Sequence, residues 1–76
     1  MKHILEILRD IRPDFDFSTS RDFIADGVLD SMDMITLVSD LDRTFRISID
    51  GLDILPEHFA NLEAIASLLG KYGVKE

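Results

Sequence analysis

The chain has 76 residues, no cysteine, and a formal charge of −7 from 15 acidic and 8 basic side chains. This length suits one small domain, predicted over residues 1–76, and excludes a barrel enzyme or a doubly wound sheet. The acidic balance argues against nucleic acid and favours basic protein partners, and the missing cysteine excludes disulfides, thiolate zinc sites and a thiol nucleophile in the polypeptide.

The first predicted helix covers residues 3–12, where apolar residues recur at helical spacing until Pro13 stops the helix. Residues 13–30 form a long connection whose many apolar side chains predict that it packs over the core, with Gly27 supplying a turn. These side chains are Phe15, Phe17, Phe23, Ile24, Val28 and Leu29.

The second predicted helix begins at Asp30-Ser31 and ends near residues 45–46. Asp30 is a favourable N-cap, and Asp33 suits the positive end of the helix dipole. The core-facing positions follow helical spacing at Met34, Leu37, Val38, Leu41 and Phe45. The predicted outer face holds Asp40, Asp42 and Arg43.

The last part of the chain predicts a short helix at residues 56–60, begun by Pro56, and a final helix capped by Asn61. The brief alternation at residues 47–49 is too short to build a sheet. The expected fold is therefore all-α: a small four-helix bundle of three main helices plus one short helix, with a long first loop.

The N-terminal segment contains acids and no long apolar core, so we do not expect a secretory signal, and no run approaches the length of a membrane span. These features favour a cytoplasmic protein without stable membrane insertion. We also expect the chain to be a monomer.

The segment GVLDSMDM, residues 27–34, places the Ser31 hydroxyl in the first turn of a helix, directly after an acidic cap. Helix N-termini expose unpaired N–H groups and partial positive charge, so a phosphodiester there is stabilised. Taken alone, an Asp-Ser-apolar triplet is common, and Ser31 could be one more polar helix-start residue.

The segment resembles the phosphopantetheine attachment site of acyl carrier proteins, Asp-Ser-Leu at the start of the second helix. The resemblance covers DGVLDSMDMITLVSDLDRTFRISI (26–49) and the closing segment DILPEHFANLEAIASLL (53–69), in which a Pro-Glu-x-Phe pattern leads into the last helix. The first helix matches only in character, and Met32 replaces the usual leucine.

The resemblance implies that a phosphopantetheinyl transferase moves 4′-phosphopantetheine from coenzyme A to Ser31, while Asp30 helps hold the transferase's magnesium. The thiol of this arm then carries an acyl group as a thioester. The implied partners are an acyl- or aminoacyl-loading ligase or transferase and a downstream synthase or transferase. The chain is thus expected to be a stand-alone carrier in lipid or fatty acid biosynthesis, with no catalytic activity and no metal of its own.

The resemblance also implies a partner surface formed by Met32, Asp33, Asp40, Ile54, Glu57 and His58. Met32 would offer an apolar contact beside the arm, Asp33 and Asp40 would meet basic patches, and the other three would border the arm's path. Phe59 is assigned to the core, because large aromatic residues usually supply packing. Asp40 and Asp42 could equally belong to a solvated face.

Some residues depart from the family pattern. Thr36 and Arg43 stand where fatty-acid carriers usually show glutamates, and Arg46 adds positive charge. Asp50-Gly51 replaces a common proline, and the Gly-Gly-His-Ser motif of peptide-synthetase carriers is absent. A D-alanyl or other aminoacyl carrier of a specialised pathway is therefore an open alternative.

A calcium loop is a remote alternative. Asp22, Asp26 and Gly27 have the spacing of EF-hand loop positions, but Ile24 occupies a ligand position and Asp33 stands where a bidentate glutamate is expected.

Two further alternatives concern Ser31. If it were a catalytic nucleophile it would need a base, and the two histidines, His3 and His58, show no evident oriented partner in the sequence. An acidic helical adaptor without the arm would need no modification, and the intact Asp30-Ser31 pair argues against it.

Overall fold

The computed structural model describes residues 2–17 and 21–75. Within these ranges the chain forms three α-helices and two single-turn 3-10 helices, with no β-strand. Helix α1 spans Lys2–Ile11, α2 spans Ser31–Phe45 and α3 spans Leu62–Lys71. The predicted all-α fold is confirmed, and residues 1, 18–20 and 76, with their share of the predicted domain and connection, lie outside the described residues.

The predicted fourth helix differs from expectation. Residues 51–53 and 56–58 are 3-10 helices, Gly51–Asp53 and Pro56–His58, and the second of them occupies the place of that helix. Leu55 precedes Pro56 without any side-chain cap, and the turn is closed by three-residue hydrogen bonds from His58 N to Leu55 O and from Phe59 N to Pro56 O. An uncapped turn this short cannot propagate as an α-helix.

The core lies between the three α-helices, with α1 packed against both α2 and α3. The buried helical side chains repeat at helical spacing on each element: Ile4, Ile7, Leu8, Met34, Leu37, Val38, Leu41, Ile65, Leu68 and Leu69. Phe59 is fully buried, which confirms its assignment to the core. On α3 the buried side chains are Ile65, Leu68 and Leu69.

The connection between α1 and α2 packs over this core, as predicted. Phe17 and Phe23 are buried and meet edge to face, with ring centroids 5.0 Å apart. The backbone of Phe23 is also engaged: its N–H donates to Ala60 O at 2.6 Å, and its carbonyl accepts from Val28 N at 2.8 Å. Gly27 adopts φ +74°, the left-handed turn conformation for which glycine has no Cβ penalty.

In the described part of the chain, no helix is both long enough and apolar enough to span a membrane.

Candidate functional site

Ser31 is the first residue of α2 and lies exposed at the protein surface. Asp30, directly before it, has extended backbone geometry and forms the N-cap. Because the first-turn N–H groups of a helix make no hydrogen bonds to preceding turns, Ser31 lies at the positive end of the α2 dipole.

The first turn of α2 is fixed by a reciprocal capping box. Asp30 Oδ1 accepts a hydrogen bond from Asp33 N at 2.8 Å, and Asp33 Oδ2 accepts one from Asp30 N at 3.3 Å. The predicted N-cap is therefore confirmed, and Asp33 closes the box as well as suiting the helix dipole. The box encloses Ser31 and Met32, so the backbone that carries the Ser31 side chain is held on both sides.

Arg12, which sequence reasoning did not single out, contacts this turn from the end of α1. Its Nε donates to Val28 O at 3.1 Å, and its Nη2 lies 3.6 Å from Asp33 Oδ2. The sequence offers no signal for these contacts, because the partners are 16 and 21 positions away along the chain and meet only through the packing of α1 against α2.

The outward side of α2 carries large apolar residues beside Ser31. Met32 is 73% exposed and Ile35 is 64% exposed. Three positions apart on a helix, they lie on the same side, together with exposed Thr36. The Met32 side chain is therefore accessible for the apolar contact that the resemblance implies.

The acidic residues of α2 are engaged within the protein. Asp40 pairs with Arg43 through Oδ1 and Nη2 at 2.7 Å, and the Arg43 side chain is 77% exposed. Asp42 is half-buried, and its Oδ1 accepts from Ile49 N at 3.0 Å. Its carboxylate holds the chain where it leaves α2, because a side-chain acceptor there replaces a missing backbone partner.

The other predicted partner-surface residues belong to the second 3-10 helix and the chain before it. Ile54 is half-buried against the core, Glu57 is exposed, and His58 is half-buried. The structure thus divides the predicted surface into a group on α2 and a group on this segment, which packs against α3.

His58 does have an oriented partner, contrary to the sequence-based expectation. Its Nδ1 lies 2.6 Å from Asp53 O, which is hydrogen-bonding distance and assigns the ring proton to Nδ1. His3 also has a neighbour, since its ring meets that of Phe45 edge to face with centroids 6.1 Å apart. Neither contact could be seen in the sequence, because both depend on tertiary packing.

The side chain of Asp53 is the centre of a hydrogen-bond network. Tyr72 Oη donates to Asp53 Oδ2 at 2.6 Å, and Lys71 Nζ lies 2.9 Å from both carboxylate oxygens. The hydrogen bond from Tyr72, followed by that from Lys71, lowers the pKa of Asp53 below its usual value. The same hydrogen bonds to the Asp53 carboxylate raise the pKa of Lys71 and of Tyr72.

Described residues line two open clefts, and Ser31 is in the lining of neither. One, of about 400 Å³, is lined by His58, Ala64, Ser67, Leu68 and Lys71. The other, of about 280 Å³, is lined by Arg12, Asp14, Phe15, Asp26, Gly27 and Val28.

The segment considered as a calcium loop forms a capped turn. Asp22 Oδ1 accepts from Ile24 N at 3.1 Å and from Ala25 N at 2.9 Å. Across residues 2–17 and 21–75, no group of three or more His, Asp or Glu side chains is arranged to hold a metal ion.

Comparison with protein-family models, curated proteins and solved structures finds no match to this chain.

Proposed function

We propose that this chain is a stand-alone acyl carrier protein, with the three α-helices and the second 3-10 helix forming a bundle of acyl-carrier type. The observation that carries the proposal is an exposed serine in the first turn of α2, enclosed by the Asp30–Asp33 capping box. The resemblance of residues 26–49 and 53–69 to that family gives the serine a specific chemistry.

The proposed modification is a phosphoryl transfer to Ser31 from coenzyme A, performed by a phosphopantetheinyl transferase. Ser31 Oγ bonds to the phosphorus that carries pantetheine, and the bond from that phosphorus to the bridging oxygen breaks. The leaving group is 3′,5′-ADP, and the hydroxyl proton passes to a base of the transferase. When bound, the arm supplies a thiol that holds an acyl group as a thioester.

The residues around Ser31 fit the phosphodiester product. The hydroxyl is exposed, so an enzyme can reach it, and the product's negative charge would lie at the positive end of α2. Asp30 is also exposed, and its carboxylate caps the helix through Oδ1. This arrangement leaves an acidic group beside the hydroxyl, where it would help the transferase hold its magnesium.

An aminoacyl cargo, such as D-alanine, is a second candidate because of the outward side of α2. That side includes the exposed residues Met32, Ile35, Thr36 and Arg43, and Asp40 pairs with Arg43. A partner that binds a row of free carboxylates would find little to bind on this side. The pattern therefore favours loading and downstream enzymes specialised away from bulk fatty-acid synthesis, acting in the cytoplasm.

The experiment is an intact-mass measurement after incubation with coenzyme A and a broad-specificity phosphopantetheinyl transferase. The carrier proposal predicts a gain of one phosphopantetheine, lost in Ser31→Ala and retained in Ser39→Ala, a matched change at an exposed serine of the same helix. A wild-type chain that stays unmodified would favour an adaptor and reject the carrier.

A further inference from the structure

Arg12 lies just after α1 and contacts the chain on both sides of Ser31. Its own backbone N–H donates to Leu8 O at 2.9 Å, so the residue continues the last turn of α1. From there its side chain donates through Nε to Val28 O, three residues before Ser31, and approaches Asp33 Oδ2, two residues after it. One guanidinium group therefore connects α1 to both flanks of the serine.

On the first flank, Arg12 completes the hydrogen bonding of Val28. The Val28 side chain is buried and its N–H donates to Phe23 O at 2.8 Å, while its carbonyl accepts from Arg12 Nε at 3.1 Å. Both backbone polar groups of the residue are thus engaged, which fixes the path of the chain as it enters α2.

On the second flank, Arg12 acts on the capping box. The oxygen that Arg12 approaches, Asp33 Oδ2, is the same oxygen that accepts the Asp30 N–H. The planar guanidinium presents several donors in fixed directions, so contact with Val28 and Asp33 together restricts both groups. The Arg12 side chain is 43% exposed, and an ion pair this exposed adds little to folding stability. The main effect of Arg12 is to restrict the position of the turn that carries Ser31.

We propose that Arg12 is a positioning residue for the modification of Ser31. This inference rests on the proposed function. An in-line attack on phosphorus tolerates little displacement of the nucleophile, and Arg12 acts through Val28 and Asp33 to hold the turn that presents it. The Arg12 contacts are to Val28 and Asp33, on either side of the serine. Substitution of Arg12 should therefore leave the chemistry of the Ser31 hydroxyl unchanged.

The kinetic test compares wild type, Arg12→Gln, Arg12→Lys and the control Arg9→Gln, using a broad-specificity transferase and coenzyme A. Arg12→Gln should lower kcat by about fivefold or more while KM changes less than about twofold, because the exposed surface is intact and only the placement is lost. Arg12→Lys, which keeps the charge near Asp33, should recover part of kcat. Arg9 is exposed in the last turn of α1, and its substitution should have no effect.

A second measurement does not depend on the transferase. Amide hydrogen exchange at Asp33, whose N–H makes the 2.8 Å cap bond, should be faster in Arg12→Gln than in Arg9→Gln. A double-mutant cycle with Asp33→Asn tests whether the effect passes through this carboxylate. In the Asp33→Asn background, Arg12→Gln should accelerate amide exchange at position 33 less.

Unchanged exchange in Arg12→Gln overturns the inference. Priming of Arg12→Gln at the wild-type kcat also overturns it, and in that case the proposed function stands. A wild-type chain that is never primed overturns the proposed function, and with it the priming role of Arg12.

Discussion

The phenol of Tyr72 joins the end of α3 to the chain that follows α2. Its Oη donates to Asp53 Oδ2 at 2.6 Å and accepts from the backbone N–H of Asp50 at 2.9 Å. Asp53 in turn presents its carbonyl to His58 Nδ1. One tyrosine therefore fixes the first 3-10 helix directly and the second through Asp53, and this places the part of the predicted partner surface that lies on that segment.

This network should make stability depend on pH at both extremes. Because the pKa of Asp53 is lowered in the folded protein, its contribution is present above the unfolded value of 3.8 and is lost as pH falls through the folded value. Because the pKa of Lys71 is raised, its contribution is present below the unfolded value of 10.5 and is lost as pH rises through the folded value. Denaturant unfolding of wild type and Asp53→Asn at several pH values measures this.

Wild type should exceed Asp53→Asn in unfolding free energy over a plateau from about pH 5 to about pH 9, and the difference should shrink on either side. Tyr72→Phe should lower the unfolding free energy over the same pH range, since it removes the hydrogen bond that is the largest cause of the lowered Asp53 pKa. Glu63→Gln is the control, an exposed acid in the first turn of α3. A difference between wild type and Asp53→Asn that does not vary with pH would contradict the network's role.

Local rules predicted the three α-helices and the N-caps of α2 and α3. Asp30 and Asn61 are N-caps in the structure, and Asn61 accepts from Ala64 N at 2.8 Å. Such features depend on residues three or four apart, so the sequence contains the information. The buried connection was predictable for a similar reason, because its aromatic residues have no other favourable environment.

Long-range polar contacts were not predictable. Asp53 meets Lys71 and Tyr72 across 18 and 19 positions, and Arg12 meets Val28 across 16. These pairings are set by how the helices pack, and a polar side chain carries no periodic signal for a distant partner. The contact of Asp42 with Ile49 N was not predicted for the same reason. For Ser31 the sequence predicted the position, while its support from Arg12 needed the structure.

Substitutions at Asp30 should distinguish its role as the N-cap of α2 from its proposed role in holding the transferase's magnesium. Asparagine is an equally good N-cap, so Asp30→Asn should change the unfolding free energy by less than about 0.5 kcal/mol, whereas Asp30→Ala should cost about 1 kcal/mol. Both should slow modification of Ser31, because neither supplies a carboxylate for the transferase's magnesium. Urea unfolding and priming rates measure the two effects. Wild-type priming of Asp30→Asn would reject the magnesium role.

Phe23 should be among the most sensitive positions of the connection. Its side chain is fully buried, so Phe23→Ala should cost about 3–5 kcal/mol, which is a large part of the roughly 4–11 kcal/mol expected for a domain of this size. Phe15→Ala is the control, because that ring is only half-buried and packs on Phe17 from outside. Urea unfolding followed by circular dichroism measures the loss of unfolding free energy in each variant. Equal losses in the two variants would show that the connection does not pack as described.

Arg46 ends α2 in a conformation that suits glycine. Its φ of +55° and ψ of +48° are left-handed, and its N–H donates to Asp42 O. Arg46→Gly removes the Cβ penalty and should raise the unfolding free energy by about 0.5 kcal/mol after the added flexibility of the unfolded chain is counted. Arg43→Gly, inside the helix, should lower it by about 1 kcal/mol. A loss of stability in both variants would contradict the assigned cap geometry.

Peptide mass spectrometry of the protein purified from the cells that make it shows whether Ser31 carries phosphopantetheine. Trypsin should release residues 22–43, a fragment that contains both Ser31 and Ser39. The proposed function predicts fragment ions with one phosphopantetheine, free or acylated, on Ser31 and with Ser39 unmodified. A fragment that is found only unmodified, and that stays so after incubation with coenzyme A and a broad-specificity transferase, would contradict it.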